Sequence, residues 1–284
     1  MNKRLVINLL LITFLCGLVL IVWLKPGQQQ EKPIKLTNIE LSAIHTISIQ
    51  RKNNDNIVIA LENGRWNITS PIQAPGLTSR IERLLKISQI NVTTHYPIEN
   101  QPLEKFNLAQ PNTKVNFNDT VLSIGNTEPV QQRRYVANTT SLFLVDDTFT
   151  HHLNAPLSQY IDTQLFSDDI QIKELKTPTI HLRRQPDNTW QTYPVNSIEP
   201  LSADAVQTLL DEWRFARAIN VNFKKTVRKK PDVIVTLNNG DKYTYILSKT
   251  PNGVTLTATD SQLNYHLSAE KYKNMTELRN LPDA

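Results

Sequence analysis

Residues 38 to 277 state nearly the same pattern twice, and that repetition limits the fold more than any other feature. Ile47-x-Ile49 alternates as a strand does, and Ile170-x-Ile172 answers it at an offset of 123. Ile57-x-Ile59 is answered by Ile180-x-Leu182, Trp66 by Trp190, Pro71 by Pro194, and Pro75-Gly76-Leu77-Thr78 by Pro200-Leu201-Ser202. Leu84-Leu85 returns as Leu209-Leu210. The pattern resumes with Pro111 and Val115-Asn116-Phe117 against Pro231 and Val235-Thr236-Leu237, now at an offset of 120. Offsets that drift this little mark an internal repeat. Two copies of one module are therefore expected, at residues 38–155 and 169–284, joined by a connection over 156–168.

Each copy has the same grammar. Alternating strands come first, over 44–50, 57–62 and 65–68 in the first copy. Asn63-Gly64 between the last two is a hairpin turn, since both residues tolerate positive φ. A Pro-bounded loop leads to a helix. Ser79-Arg80-Ile81-Glu82 has capping-box spacing, with Ile81, Leu84 and Leu85 on one face. In the second copy Ser202 is the expected cap, and Val206, Leu209, Leu210 and Trp213 recur at helical spacing. Further strands are expected over 120–124, 134–137 and 142–145, and over 233–237, 242–247, 254–258 and 264–267, with Asn239-Gly240 as a second hairpin turn. A short helix closes each copy, near 147–153 and 268–278. Sheet and helix segregate rather than alternate as βαβ, so the predicted class is α+β with antiparallel sheets.

Ahead of the repeat, Leu5 to Leu24 is 20 residues without a charge. As a helix it spans about 30 Å, the hydrocarbon thickness of a bilayer. Lys3 and Arg4 precede it, Lys25 and Pro26 end it, and Trp23 stands where an indole suits the interface. The apolar run is long for a cleaved signal peptide, and Val22-Trp23-Leu24-Lys25 offers no small-x-small cleavage site. Thr13-Phe14-Leu15 before Cys16 fits a lipidation site poorly. An uncleaved signal anchor over 1–25 is expected, followed by a polar linker over 26–37. A short basic N-terminus stays cytoplasmic, so the bulk of the chain is expected in the periplasm, anchored to a bacterial inner membrane.

Composition narrows the function classes. A net charge of +5, from 31 Lys and Arg against 26 Asp and Glu, is mild for 284 residues and does not point to nucleic acid. A single Cys excludes an internal disulfide framework and Cys-rich metal sites. No Gly-x-Gly-x-x-Gly, P-loop or Gly-x-Ser-x-Gly motif occurs. Five Asn-x-Ser/Thr sequons, at Asn67, Asn91, Asn118, Asn138 and Asn274, are read as chance in an Asn- and Thr-rich chain.

Several segments together resemble a bacterial family of unknown function: Gly64-Arg65-Trp66-Asn67-Ile68, Leu84-Leu85, Phe106-Asn107-Leu108-Ala109-Gln110-Pro111, Ile124-Gly125 and Tyr135-Val136. The resemblance covers most of the chain after the anchor. It implies tandem α+β modules, membrane anchoring, and genes set beside ABC transporter components similar to those of gliding motility. It supplies no catalytic residues. The second copy lacks the Phe-x-Leu-x-x-Pro segment and the Ile-Gly pair, so a role tied to those belongs to the first copy alone.

Candidate chemistry is sparse. Trp66 and Trp190 are expected to pack the core of each copy, with ligand stacking as the alternative. Asp146-Asp147 near His151-His152 holds metal-binding residue types, but adjacent side chains diverge. Asp168-Asp169 reads as a solvated connection rather than a glycosidase pair. Lys224, Lys225, Arg228, Lys229 and Lys230 form a basic cluster, read first as a solvated loop before the strand at Val233, with contact to anionic lipid headgroups or an acidic partner as the functional alternative. No cofactor is expected. The leading expectation is a non-catalytic accessory or scaffold subunit of a membrane complex, with an ABC permease and ATPase as partners. A binding module for glycan, lipid or lipopolysaccharide is the alternative, and a groove between the modules lined by exposed aromatics would support it. A hydrolase built on Asp146 and His151 ranks third.

Overall fold

The computed structural model describes residues 3–24, 34–92, 94–166, 170–193, 202–223 and 230–278. Helix α1 (Lys3–Leu24) carries no charge after Arg4 and is exposed from 3 to 20; it is long and apolar enough to cross a membrane. The chain divides between this helical unit and a folded unit that begins at Lys35. The folded unit thus starts inside the expected 26–37 linker. Leu36 is buried, and the Leu36 and Thr37 amides donate to the Ile90 and Ser88 carbonyls at 3.0 Å each. An apolar side chain with a paired backbone belongs to the fold rather than to a spacer.

The folded unit consists of two antiparallel sheets with few helices. The first sheet holds β1 (Thr46–Arg51), β2 (Asn54–Glu62), β3 (Arg65–Ser70), β4 (Ala74–Pro75), β5 (Thr94–Pro97), β6 (Thr113–Phe117), β7 (Thr120–Thr127), β8 (Arg134–Ala137) and β9 (Ser141–Val145). Their order across the sheet is β4-β3-β2-β1-β6-β7-β8-β9-β5. Helix α2 (Thr78–Ile87) lies between β4 and β5 in the chain, and α3 (Thr150–Leu153) follows β9. The second sheet holds β10 (Ile172–Lys176), β11 (His181–Arg184), β12 (Trp190–Thr192), β13 (Asn220–Phe223), β14 (Val233–Leu237), β15 (Lys242–Thr250), β16 (Gly253–Ala258) and β17 (Leu263–Ser268). Its order is β12-β11-β10-β14-β15-β16-β17-β13, with α4 (Ala203–Arg214) between β12 and β13 and α5 (Ala269–Thr276) after β17. Leaving out two-residue β4, the two orders coincide strand for strand.

Alternation explains the strands. β6 and β14 bury every second residue, Val115 and Phe117 in one and Val233, Val235 and Leu237 in the other. Ile47 and Ile49 of β1 pair with Phe117 and Val115 across the ladder and share their buried face. Helix α2 covers that face with Ile81, Leu84 and Ile87, while α4 supplies Ala205, Val206, Leu209, Leu210 and Trp213 to the second sheet. Most buried residues of the two sheets belong to one cluster, continued through Tyr160, Ile161, Leu165 and Phe166.

Those four residues lie in the expected 156–168 connection, which is stitched to both sides. The Leu77 amide donates to the Tyr160 carbonyl at 2.7 Å and the Asp162 amide to the Pro75 carbonyl at 2.9 Å. Farther on, the Leu165 amide donates to Ala216 and the Ala218 amide to Thr163, at 3.0 and 2.8 Å. A backbone tied in this way does not act as a loose hinge.

Some local expectations need correcting. The capping box at Ser79 does not form: α2 starts two residues earlier, its N-cap position is Leu77, and no side chain caps it. Backbone ties decide the helix start instead, because the Leu77 carbonyl already accepts from Arg80 and Ile81 while its amide is held by Tyr160. Asn63 and Gly64 do adopt positive φ, 51° and 77°, but at the second turn only Gly240 does. That loop runs over four residues between β14 and β15, so one left-handed position suffices. Strands β5 and β13 were not legible, because Thr94–Pro97 and Asn220–Phe223 are edge strands with little apolar alternation. Ser202 behaves as expected, its hydroxyl accepting from the Ala205 amide at 3.4 Å.

Candidate functional site

A cavity of about 470 Å³ opens where the first sheet, the connection and the second sheet meet. The first sheet contributes the β2–β3 hairpin. Asn63-Gly64 turn the chain so that Arg65, Trp66 and Asn67 present themselves at the wall. The hairpin's rim is fixed from behind: the Gly76 amide donates to the Trp66 carbonyl at 2.9 Å, and Asn67 pairs with Pro75 in β4. Gly76 is required here, since an added Cβ would lie 2.6 Å from Ile81 and 2.8 Å from the Trp66 oxygen.

The connection contributes Asp162, Gln164, Leu165 and Phe166, and the second sheet contributes Tyr243, Tyr245, Asp260 and Tyr265. The rings brace one another. Phe166 meets Tyr243 edge-on with centroids 5.1 Å apart, and Tyr245 meets Tyr265 edge-on at 6.3 Å. The Tyr245 hydroxyl donates to the Leu165 carbonyl at 3.3 Å, which ties β15 to the connection.

The electrostatics keep the phenols neutral. Burial pushes Tyr265 up to about 12, helped by the nearby charges of Asp260 and Asp162. Burial holds Tyr245 well above the usual phenol range. Tyr243 is raised by burial and by Asp241 and Asp260, against the opposing charge of Arg65. At neutral pH the cavity therefore offers phenolic O–H donors beside carboxylate acceptors. Asp162 accepts from the Gln164 amide at 3.2 Å and stands 3.9 Å from Arg217. Asp260 accepts from the Ser261 amide at 2.6 Å.

The sequence-predicted candidates fall out differently. Trp66 and Trp190 are both half-buried and packed against the core, but only Trp66 reaches the large cavity. Trp190 borders a smaller space of about 170 Å³ beside Arg184, Asp211 and Arg214. Asp147 Oδ2 accepts from both Nε and Nη2 of Arg134 and its Oδ1 accepts from the Thr150 amide, so it is a structural ion pair. Burial pushes its carboxyl up, but the bonds from Thr150 and Arg134 outweigh that and hold it below the usual range. The His151 and His152 rings lie with centroids 3.8 Å apart, tilted by 49°. Burial, then the charges of His151, Arg80 and Arg83, lower the His152 pKa. Among the described residues no group of three or more His, Cys, Asp or Glu is placed to hold a metal ion.

Of the basic cluster, Lys224, Lys225, Arg228 and Lys229 lie outside the described residues, as do Asp168 and Asp169; Lys230 is exposed. Two sequon asparagines do local work. Asn118 accepts from the His45 and Thr46 amides and donates to the Ala43 carbonyl at 2.8 Å, and Asn138 accepts from the Thr140 and Ser141 amides. The cavity residues of the second sheet were missed. Tyr243-x-Tyr245 was a visible signal, two rings on one face of a strand, but nothing in the sequence paired it with Trp66.

The model of the family described as "Domain of unknown function (DUF4340)" matches residues 66–250, well over half of the chain, and the chain belongs to that family. No curated protein and no solved structure matches it.

Proposed function

We propose, with that family membership as the premise, that the chain is a non-catalytic, membrane-anchored accessory subunit of a membrane complex, with an ABC-type permease and ATPase as its partners. The observation that carries this reading is the apolar helix α1 followed by a separate folded unit. A helix of 22 residues spans about 33 Å, enough to cross a bilayer. The basic Lys3 and Arg4 favour a cytoplasmic N-terminus and a periplasmic folded unit. The folded unit is read as two copies of one module; the coincident strand orders and the equivalent places of α2 and α4 support that duplication. The cluster from Lys224 to Lys230 is the proposed contact with anionic lipid or an acidic partner surface.

The test is purification of the full-length protein from its native membrane in mild detergent, with mass spectrometry of what accompanies it. Recovery of an ATPase and a multi-span permease in stoichiometric amounts is expected. Recovery of the protein alone, under conditions that keep known complexes together, overturns the reading.

The junction cavity favours a second reading, a binding module for an envelope ligand. Aromatic rings line it, Trp66 and Tyr243 half-buried and Phe166, Tyr245 and Tyr265 buried, with polar groups converging on the same space.

A further inference from the structure

We propose that the junction cavity binds a neutral oligosaccharide, stacked on the Trp66 ring and held through its hydroxyls by Arg65, Asn67, Asp162 and Asp260. The proposal deepens the second reading above and rests on it.

Size is the first argument. About 470 Å³ falls within the range of small-molecule sites, roughly 300–1,000 Å³, and suits a short chain of sugar rings. Wall chemistry is the second. A sugar ring has apolar C–H faces and a polar equator. It is recognised by a flat aromatic surface flanked by planar polar side chains that donate and accept in pairs. Trp66 is half-buried and lines the space, and Arg65, Asn67, Asp162 and Asp260 are the planar polar groups that share the lining. The Asp162 and Asp260 carboxylates each have an oxygen left over from their hydrogen bonds to Gln164 and Ser261. Each carboxylate therefore keeps acceptor capacity for a hydroxyl.

Rival chemistries fit less well. Two carboxylates against the single lining guanidinium of Arg65 oppose a phosphate or another anion. An acyl chain would offer no hydrogen-bond partner to the polar atoms of Arg65, Asn67, Asp162 and Asp260 that line the space. A lone ammonium group is far smaller than the cavity and would face the Arg65 charge.

The site straddles the two sheets, which gives it a property neither sheet has alone. Asp162 sits on the connection, Trp66 on the first sheet and Asp260 on the second. A bound sugar therefore touches all three.

The experiment is isothermal titration of the full-length protein in a polyoxyethylene detergent, which has no sugar headgroup. Tryptophan fluorescence is followed in parallel. The titrants are N-acetylchitotriose, cellotriose and maltotriose, with choline, decanoate and inorganic phosphate alongside. Binding of at least one trisaccharide, with a change in tryptophan emission, is expected. Asp260→Asn keeps the oxygen that caps Ser261 and lies on an exposed turn. It should weaken that binding by about tenfold, the loss of one charge-assisted hydrogen bond. Tyr243→Phe should weaken it by a smaller factor, about fivefold, if its hydroxyl is a donor to the sugar. Binding of choline, decanoate or phosphate, sensitive to Asp260→Asn and without any trisaccharide binding, overturns the saccharide assignment and leaves the binding-module reading standing. Trisaccharide binding that both variants leave unchanged overturns the assignment to this cavity. No binding by any titrant, to protein whose circular dichroism shows the folded state, overturns both.

Discussion

The two sheets share a strand order and differ most on their outer faces. In the first sheet, Ala137 of β8 stands opposite Leu142 of β9, and Tyr135 opposite Leu144. In the second sheet the corresponding places, reckoned from the β16–β17 turn, hold Thr257 opposite Asn264 and Thr255 opposite His266. The first set is apolar and is covered by the segment Phe106–Pro111. Phe106 stacks on Tyr135 with centroids 4.3 Å apart, and Leu108 joins Ala137 and Leu142 in a small separate core. The second set is a polar ladder. Thr257 donates to Asn264 at 2.6 Å, Thr255 bonds His266 at 2.9 Å, and Asn222 of β13 contacts both Asn264 and His266. A sheet needs its inner face apolar to bury a helix, but its outer face takes either solution, provided each polar group finds a partner. The segments that carry the family resemblance, from Phe106 to Tyr135, are largely the cover of one outer face.

The same comparison explains Gly125. A Cβ there would collide with the Phe106 carbonyl and sit 3.0 Å from Leu108, while the Asn126 amide donates to that carbonyl at 2.9 Å. By register, the second sheet holds buried Ile246 at this place, and its half of the sequence has no Phe-x-Leu-x-x-Pro segment pressing on it.

Five substitutions would break or sharpen this picture. The largest effect is expected from Trp213→Ala in α4. The ring is fully buried and its indole N–H donates to the Met275 carbonyl at 2.5 Å, so removing it should cost about 3–5 kcal/mol. The repeat spacing puts Ser88 at the corresponding place in the first half, and Ser88→Ala should cost about 1 kcal/mol through its lost bond to Leu85. Equal costs in denaturant titration would mean the two helices carry the same load. Next, Leu142→Asn would place an amide in the apolar ladder that the second sheet runs with Asn264. It should destabilise by about 3 kcal/mol, since no Thr or Asn stands there to pair with it. A near-neutral result would mean the two outer faces are interchangeable. Gly125→Ala should cost about 1–3 kcal/mol and reduce protection of the Asn126 amide from hydrogen exchange.

The smallest effect is electrostatic. Helix α3 is tied by the Arg134–Asp147 pair, whereas α5 is capped by neutral Ser268, whose hydroxyl accepts from Lys271 at 3.0 Å. The Asp147 carboxyl is held below its ordinary value, so its contribution is complete above the unfolded carboxylate range near 4 and fades as pH falls through the folded value. Asp147→Asn should therefore cost about 1 kcal/mol at pH 7 and flatten the fall of stability in acid. An unchanged acid profile would show that the pair carries nothing.

Much of the fold was legible because strands and helices announce themselves locally. The alternation in Val233–Leu237, the spacing of Val206, Leu209, Leu210 and Trp213, and the turn at Asn63-Gly64 depend on neighbours a few residues away. The edge strands β5 and β13 escaped notice because their pairing partners, not their own side chains, make them strands. The start of α2 was misjudged because its backbone bonds reach to Tyr160, about 80 residues away.

The sequence by itself determined an apolar helix fit to cross a membrane, antiparallel sheets with few helices, and which faces of the strands turn inward. These follow from hydrophobicity and periodicity, which act over short stretches of chain. Only the tertiary structure decided that Trp66, Asp162, Tyr243, Asp260 and Tyr265 enclose one space, and that the segment after residue 155 is clamped to both sides. Those residues are separated by up to about 200 positions. Their meeting depends on two sheets burying one continuous core, a condition that no local pattern encodes.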